Sequence, residues 1–343
     1  MAKRMWQTVL VEPGRFVREE AARPEPGPGE VLIKVARVGV CGSDISAFHG
    51  RHPYISCPIV LGHEFSGEVI ARGGAEGPAP GTRVTVIPHL GCGECDACAR
   101  GAYNLCDSLR VIGCQSPGAH AEYVLAPAEM ALHIPDALSW EEAAMVEPAA
   151  VALHAARRAG IGPGDRVLVV GAGPIGIFTM QCAKALGAET VSIADLDAVR
   201  LVLARELDAD ETLHTLTSPL ADGISRLASR PNVYADCVGG SGEVLDQLLA
   251  IAPRGSRILA VGVLKSDYRI PHLPDLTEHE LSVIGTSMYV LRDYQDAIAA
   301  FADGRLRTKR MITHTFTLAD VAAAFNMIEC GQEPYFKVMF TAE

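Results

Sequence analysis

The passage from Arg166-Val167-Leu168-Val169-Val170 into Gly171-Ala172-Gly173-Pro174-Ile175-Gly176, and on into a helix-length stretch ending near Leu186, narrows the fold more than anything else in the chain. A continuous apolar run of this length reads as a strand buried on both faces. The glycines follow the spacing G-x-G-x-x-G, a weak signal alone but a strong one between a strand and a helix. Gly171 allows the tight turn, Gly173 lets the backbone approach a pyrophosphate, and Gly176 permits close helix packing. The helix N-terminus then offers N–H donors and a partial positive charge to phosphate. The next strand, Thr190-Val191-Ser192-Ile193-Ala194, leads to Asp195, nineteen residues beyond Gly176. A carboxylate there accepts hydrogen bonds from both ribose hydroxyls of an adenosine and repels a 2′-phosphate, which selects NAD over NADP. Arg200 is the alternative partner for a phosphate, with Asp197 adding a second negative charge against it.

The same rhythm continues. A helical pattern runs through Leu207, and Asn232-Val233-Tyr234-Ala235 and Arg257-Ile258-Leu259-Ala260-Val261 read as further strands. Buried strands separated by helices predict a parallel doubly wound α/β sheet. The pattern opens near Ser139-Trp140-Glu141-Glu142, a Ser cap with a Glu three positions on. It changes again after Tyr289 and ends in a strand, Phe336-Lys337-Val338-Met339-Phe340.

The first 145 residues or so are different, rich in Gly and Pro with short β-type runs. In Val31-Leu32-Ile33-Lys34-Val35, Val31, Ile33 and Val35 share one face while Lys34 points away. Ile59-Val60-Leu61, Glu68-Val69-Ile70 and Arg83-Val84-Thr85-Val86-Ile87 follow, with turns at Gly73-Gly74 and Pro80-Gly81. This is an all-β, partly barrel-like pattern. A chain of 343 residues exceeds one ordinary core, so two domains are expected.

Four of the ten cysteines crowd together as Cys92-x2-Cys95-x2-Cys98-x7-Cys106, among Gly91, Gly93 and Gly101. Four thiolates this close can close a tetrahedron around Zn²⁺. An iron–sulfur cluster is the rival, but ferredoxins space the fourth Cys differently and follow it with Pro, whereas Asp107 follows here. Such a site has no vacancy for chemistry, and a catalytic metal needs one. Cys41-Gly42-Ser43-Asp44 and Gly62-His63-Glu64 offer a thiolate, an imidazole and a carboxylate at strand ends, leaving a position for water or a substrate oxygen. Glu147, where the β region joins the doubly wound one, is placed to face a cleft between domains. Most of the six scattered cysteines, Cys114 among them, read by default as buried thiols.

With these motifs in order, the sequence resembles the zinc-containing medium-chain dehydrogenase/reductase family, in its sorbitol, threonine and sugar-acid dehydrogenase branch. The resemblance covers nearly the whole chain and rests on Cys41-Gly42-Ser43-Asp44, Gly62-His63-Glu64, the four-cysteine lobe, Glu147-Pro148, the Gly171–Gly176 turn and Ile312-Thr313-His314. It implies a GroES-like β-rich catalytic domain over residues 1–148, with a structural zinc lobe at about 89–108. It implies a Rossmann NAD-binding domain over 149–288 and a return to the catalytic domain over 289–343. It also implies Cys41, His63 and Glu64 as ligands of a catalytic zinc, Glu147 as a fourth ligand or the partner of its water, and Ser43 as first proton acceptor. Two zincs per chain and NAD follow. The expected chemistry is oxidation of a secondary alcohol by hydride transfer, the substrate being a polyol, sugar acid, cyclitol or 3-hydroxy amino acid. A zinc-free quinone or enoyl reductase, or a non-catalytic NAD-binding protein on this scaffold, are the alternatives. The chain departs from the family at Ser46, where many members carry a proton-relaying His, which leaves His49 as a nearby candidate. It departs again at Met288, where sorbitol-type enzymes often place Arg before the pocket Tyr, here Tyr289.

Charge and hydropathy exclude other classes. A net charge of −11 disfavours nucleic acid or an anionic membrane as a partner. No apolar run approaches the roughly 20 residues of a membrane span, and the basic start at Met1-Ala2-Lys3-Arg4 lacks the apolar core of a signal peptide. A cytoplasmic homodimer or homotetramer acting on a small alcohol or ketone is the expectation.

Overall fold

The structure, a computed structural model, describes residues 3–271, 273–308, 310–331 and 333–342, so Met1 and Ala2 of the basic start lie outside it. The chain divides into two compact units: Met1–Glu147, Val290–Ala302 and Arg310–Glu343 in the first, and Pro148–Tyr289 with Asp303–Lys309 in the second.

In the first unit, β1 (Arg4–Glu12) pairs with β2 (Arg15–Ala22), and β3 (Glu30–Gly39) leads into the short helix α1 (Gly42–Phe48). Two-residue β4 (Ile59–Val60) adds to β1. Then come β5 (Glu64–Arg72) and β6 (Arg83–Val86), with β7 (His89–Leu90), α2 (Asp96–Ala99) and β8 (Arg110–Val111) around the cysteine lobe. β9 (Tyr123–Pro127), β10 (Ala131–His133) and α3 (Trp140–Ala144) follow, and α4 (Val146–Arg158) carries the chain out of the unit. The glutamate three residues on caps α3 as expected: Glu142 N–H donates to Ser139 Oγ at 3.1 Å, and its carboxylate accepts from Ser139 N–H at 2.9 Å.

The main sheet runs β10-β6-β5-β3 and also takes up β9 on β3. Here the expected alternation fails in one place. Lys34 is exposed, but Leu32 is as buried as Val31 and Ile33, because β3 is a ten-residue central strand with partners along both edges. Likewise Glu68-Val69-Ile70 is only the middle of a nine-residue strand.

The second unit is a six-stranded, wholly parallel sheet in the order β13-β12-β11-β14-β15-β16. Its strands are β11 (Arg166–Val170), β12 (Thr190–Asp195), β13 (Glu211–His214), β14 (Val233–Asp236), β15 (Arg257–Ala260) and β16 (Ser282–Gly285). Between them lie α5 (Pro174–Ala185), α6 (Ala198–Glu206), α7 (Leu220–Ser225), α8 (Glu243–Ile251) and α9 (Leu273–Glu278). Strand order reverses between β11 and β14, the place where open α/β sheets bind ligands beyond their strand ends. Leu168, Val170, Tyr234, Leu248 and Ile258 form the core beneath.

The chain then returns to the first unit as α10 (Leu291–Ala302), β17 (Ile312–Thr317), α11 (Val321–Cys330) and β18 (Lys337–Thr341). β18 lies antiparallel on β3, with Met339 opposite Gly39, and β17 closes that side. Tyr294 of α10 anchors this return in a buried polar knot, donating to Val86 O at 2.9 Å and meeting Thr85 Oγ1 at 2.7 Å. Among the described residues no helix is long and apolar enough to cross a membrane.

One core residue sets an acid limit. His120 is fully buried, edge-on to Phe340 at 5.0 Å, and neither ring nitrogen has a hydrogen bond. Burial, aided by the charge of His63, holds its pKa down to about 3. In the unfolded chain the ring takes a proton near pH 6.5, so stability is present above that pH and is lost as pH falls from 6.5 towards 3. Replacing His120 by Phe should remove about 2 kcal/mol from the stability lost between pH 7 and pH 5. Denaturant unfolding at the two pH values measures that difference, which simple steric strain at the site would not move.

Candidate metal centres and coenzyme turn

Cys41 follows β3 as the N-cap of α1, and its N–H donates to Asp44 Oδ2 at 2.8 Å. Helices this short are marginal alone; α1 is held by Phe48, stacked on Phe16 at 5.4 Å and packed on Phe325 at 5.3 Å. Gly62, in the left-handed region with φ +96°, turns the chain so that His63 stands just before β5 and Glu64 opens it. Glu64 pairs in register with Gly39, which brings these three side chains to one end of the sheet. Donor atoms of Cys41, His63 and Glu64 all lie within 4.8 Å of one another.

The ring of His63 is oriented by its buried neighbour. Nδ1 lies 3.6 Å from Asp44 Oδ1, an ion-pair distance, and neither atom has a hydrogen-bond partner. Nε2 faces Ser43, whose Oγ is 3.4 Å away. Burial opposes a charge on His63, but Asp44 and Cys41 outweigh it and raise its pKa well above the ordinary value. Burial also raises Asp44, against the pull of His63. A buried cluster of soft and anionic donors, with a carboxylate fixing the imidazole tautomer, fits a divalent metal such as zinc.

Two residues here escaped the sequence reading. Lys337, at the head of β18, forms an ion pair with Glu64 in which the side chains are only 3% and 2% exposed. Gly39 makes room: a Cβ there would collide with the Glu64 carboxylate and come 2.9 Å from Lys337 Cε. Burial disfavours the ammonium, but Glu64 and Cys41 raise the Lys337 pKa above its ordinary value, so it is charged. The second is Cys114. It is partly exposed, which corrects its reading as a buried thiol, and its loop is laid along the segment before His63, with Ala119 N–H donating to Gly62 O at 2.9 Å.

Other candidates are placed elsewhere. His49 is the C-cap of α1, at the end away from Ser43, and its Nε2 lies 2.8 Å from Glu329 Oε1 on α11. Glu147 is buried in the first turn of α4 and stands outside the three-donor group, although its charge and that of Glu64 add to burial in raising the Tyr294 hydroxyl. Tyr289 is fully buried.

The cysteine lobe is built from turns. Gly93 and Gly101 have φ of +79° and +73°, and the donor atoms of Cys92, Cys95, Cys98 and Cys106 lie within 4.8 Å of one another. N–H donation from Cys92 holds the Cys106 thiol down to about 6. Despite a hydrogen bond from Gly93, burial and the neighbouring sulfurs push Cys98 up to about 11. A shared dication would favour the thiolate at all four positions, Cys98 included.

In the second unit, Gly171 has φ +99°, and Gly173 caps α5, with Pro174 and Ile175 opening the helix. A Cβ on Gly176 would overlap Gly171 O, so the helix packs against the turn as closely as glycine permits. Asp195 accepts from Ala172 N–H at 2.5 Å and from Asp197 N–H at 2.8 Å, which fixes its carboxylate beside the turn. Arg200 lies 3.7 Å from Asp197, with its guanidinium next to Gly173.

Breaking the buried pair leaves a lone buried carboxylate. Lys337→Met should therefore lower the stability of the metal-free protein by about 3–5 kcal/mol, and the double variant Glu64→Gln/Lys337→Met should recover most of it. Equal losses in the single and double variants, measured by chemical denaturation, would show that the charges are not coupled.

Residues 27–136 match the alcohol dehydrogenase GroES-like domain and residues 174–303 match the zinc-binding dehydrogenase domain. The chain is 34% identical to a sorbitol dehydrogenase of Halalkalibacterium halodurans, covering 96% of each chain. An alcohol dehydrogenase of Escherichia coli CFT073, solved with NADH, superposes with a TM-score of 0.92 at 31% identity over 98% of this chain and 99% of that one. A protein of Sinorhizobium meliloti 1021 solved with NADP superposes with a TM-score of 0.91 at 32% identity, covering 99% of each. The chain belongs to the zinc-containing alcohol dehydrogenase family of medium-chain dehydrogenases, in its sorbitol dehydrogenase-like branch.

Proposed function

We infer that the protein oxidises a secondary alcohol to its ketone with NAD, at a zinc held by Cys41, His63 and Glu64 with Glu147 as fourth ligand or partner of the bound water. The single observation that carries this reading is the buried donor group with Ser43 on the Nε2 side of His63. When bound, zinc acidifies a substrate hydroxyl and stabilises the negative charge that develops on its oxygen, and NAD accepts the hydride.

The chain's own residues supply the rest. Ser43 Oγ takes the hydroxyl proton and passes it on. His49, bound to Glu329, has its Nε2 engaged, so the shorter route through Ser43 and Ser46 to water is favoured. Asp44 holds the His63 tautomer that leaves Nε2 free to coordinate. The four-cysteine lobe would hold a second, structural zinc. Gly171, Gly173, Pro174, Ile175 and Gly176 cradle the pyrophosphate, and Asp195 and Arg200 take the adenosine end. Asp195 keeps free lone pairs for ribose hydroxyls while it caps the turn, which supports NAD over NADP.

On this reading the first unit is the catalytic domain and the second the coenzyme domain. Relatives named sorbitol dehydrogenase and L-idonate 5-dehydrogenase support a polyhydroxylated substrate, a polyol or sugar acid. The protein would work in the cytoplasm as a homodimer or homotetramer. Edge strand β16 and exposed Val263 and Leu273 in the segment leading to it support self-association.

A screen of NAD reduction across polyols, aldonates, inositols and threonine tests the reading. One of these classes should support turnover, and His63→Ala should abolish it while NAD binding persists. Undiminished oxidation by a His63→Ala protein lacking that metal would show that the centre is not the electrophile.

A further inference from the structure

We propose that Tyr268 is a positioning residue for the nicotinamide half of the coenzyme, latching together the turns after β14 and β15 that carry it. This rests on the NAD reading above.

Strand order decides which turns those are. A dinucleotide crosses a doubly wound sheet where the strand order reverses, with one half on each side. Here the reversal lies between β11 and β14, and Asp195 at the end of β12 takes the adenosine side. The other half therefore lies over the ends of β14 and β15. The turn after β14 also abuts the pyrophosphate turn: Cys237 N–H donates to Val170 O at 2.9 Å, and a Cβ on Gly171 would stand 2.8 Å from Val238 Cγ2.

The two turns are built onto one another. Asp236, fully buried at the end of β14, accepts through Oδ1 from Val238 N–H at 2.9 Å and Gly239 N–H at 3.1 Å. Its carbonyl accepts from Val261 and Gly262 N–H just past β15, both at 2.9 Å. Gly240 N–H then donates to Val263 O at 2.8 Å, and Lys265 N–H to Gly240 O at 3.1 Å. Beyond Lys265 the chain is fastened by a side chain. The Tyr268 ring lies over Gly242, the N-cap of α8, where a Cβ would run into it. Its O–H donates to Oδ1 of Asp246, in the first turn of that helix, at 2.6 Å. Partial burial and the Asp246 carboxylate raise the phenol above its ordinary pKa, so the proton stays on the donor. The latch ties the segment after β15 to the helix after β14. Without it the turns are ordered for only part of the time, and coenzyme affinity falls by that fraction.

Calorimetric titration of the zinc-loaded protein with NAD and, separately, with AMP reads the two halves apart, because AMP spans only the adenosine side. Tyr268→Phe should weaken NAD about tenfold and leave AMP unchanged. Asp246→Ala should reproduce that loss, and the double variant Tyr268→Phe/Asp246→Ala should bind no more weakly than either single one. Asp246→Asn, which keeps an acceptor, should retain most of the affinity. The unmoved AMP affinity reports an intact coenzyme unit. NAD affinity unchanged in Tyr268→Phe would overturn the latch and leave the coenzyme reading standing. An equal loss for NAD and AMP would overturn it too, by showing a general structural role. Native protein that binds neither ligand would overturn both the latch and the coenzyme reading.

Discussion

A buried lysine and a buried glutamate, meeting across a glycine, organise the reactive end of the first unit. Glu64 stands on β5 and Lys337 on β18, and β3 runs between them with Gly39 at the crossing. Removing two charges from water costs several kcal/mol per ion, so the pair persists only with close geometry on both sides. That requirement makes the last strand of the chain part of the sheet that begins near its start.

Order at the centre comes from the elements around it. α1 presents Cys41 and Ser43 because aromatic packing on Phe16 and Phe325 holds a helix too short to stand alone. Asp44 turns back to cap that helix and orients His63 with its other oxygen, so one buried carboxylate fixes both a backbone and a ring. In the second unit the order is local. The turn, the Gly176 contact and the Asp195 cap lie within two consecutive strands and the helix between them.

That difference explains what could be read in the sequence. The glycine turn, the four-cysteine lobe and the Ser139 cap are encoded by spacing over a few residues, so periodicity and residue type reveal them. The donors Cys41, His63 and Glu64 were legible as types, but their convergence depends on the β3–β5 register. Lys337 looked like a strand residue because its partner lies 273 positions away. The exposure of Cys114 was hidden for the same reason: its loop is laid by backbone hydrogen bonds onto the distant segment before His63. Leu32 misled because alternation reports one exposed face, and β3 is central.

X-ray diffraction recorded on either side of the zinc absorption edge addresses the central claim most directly. Two anomalous peaks per chain are expected, one inside the Cys92–Cys106 lobe and one bounded by Cys41, His63 and Glu64. A crystal of active protein with a peak in the lobe alone would contradict the account, since turnover would then proceed without a metal at the buried centre.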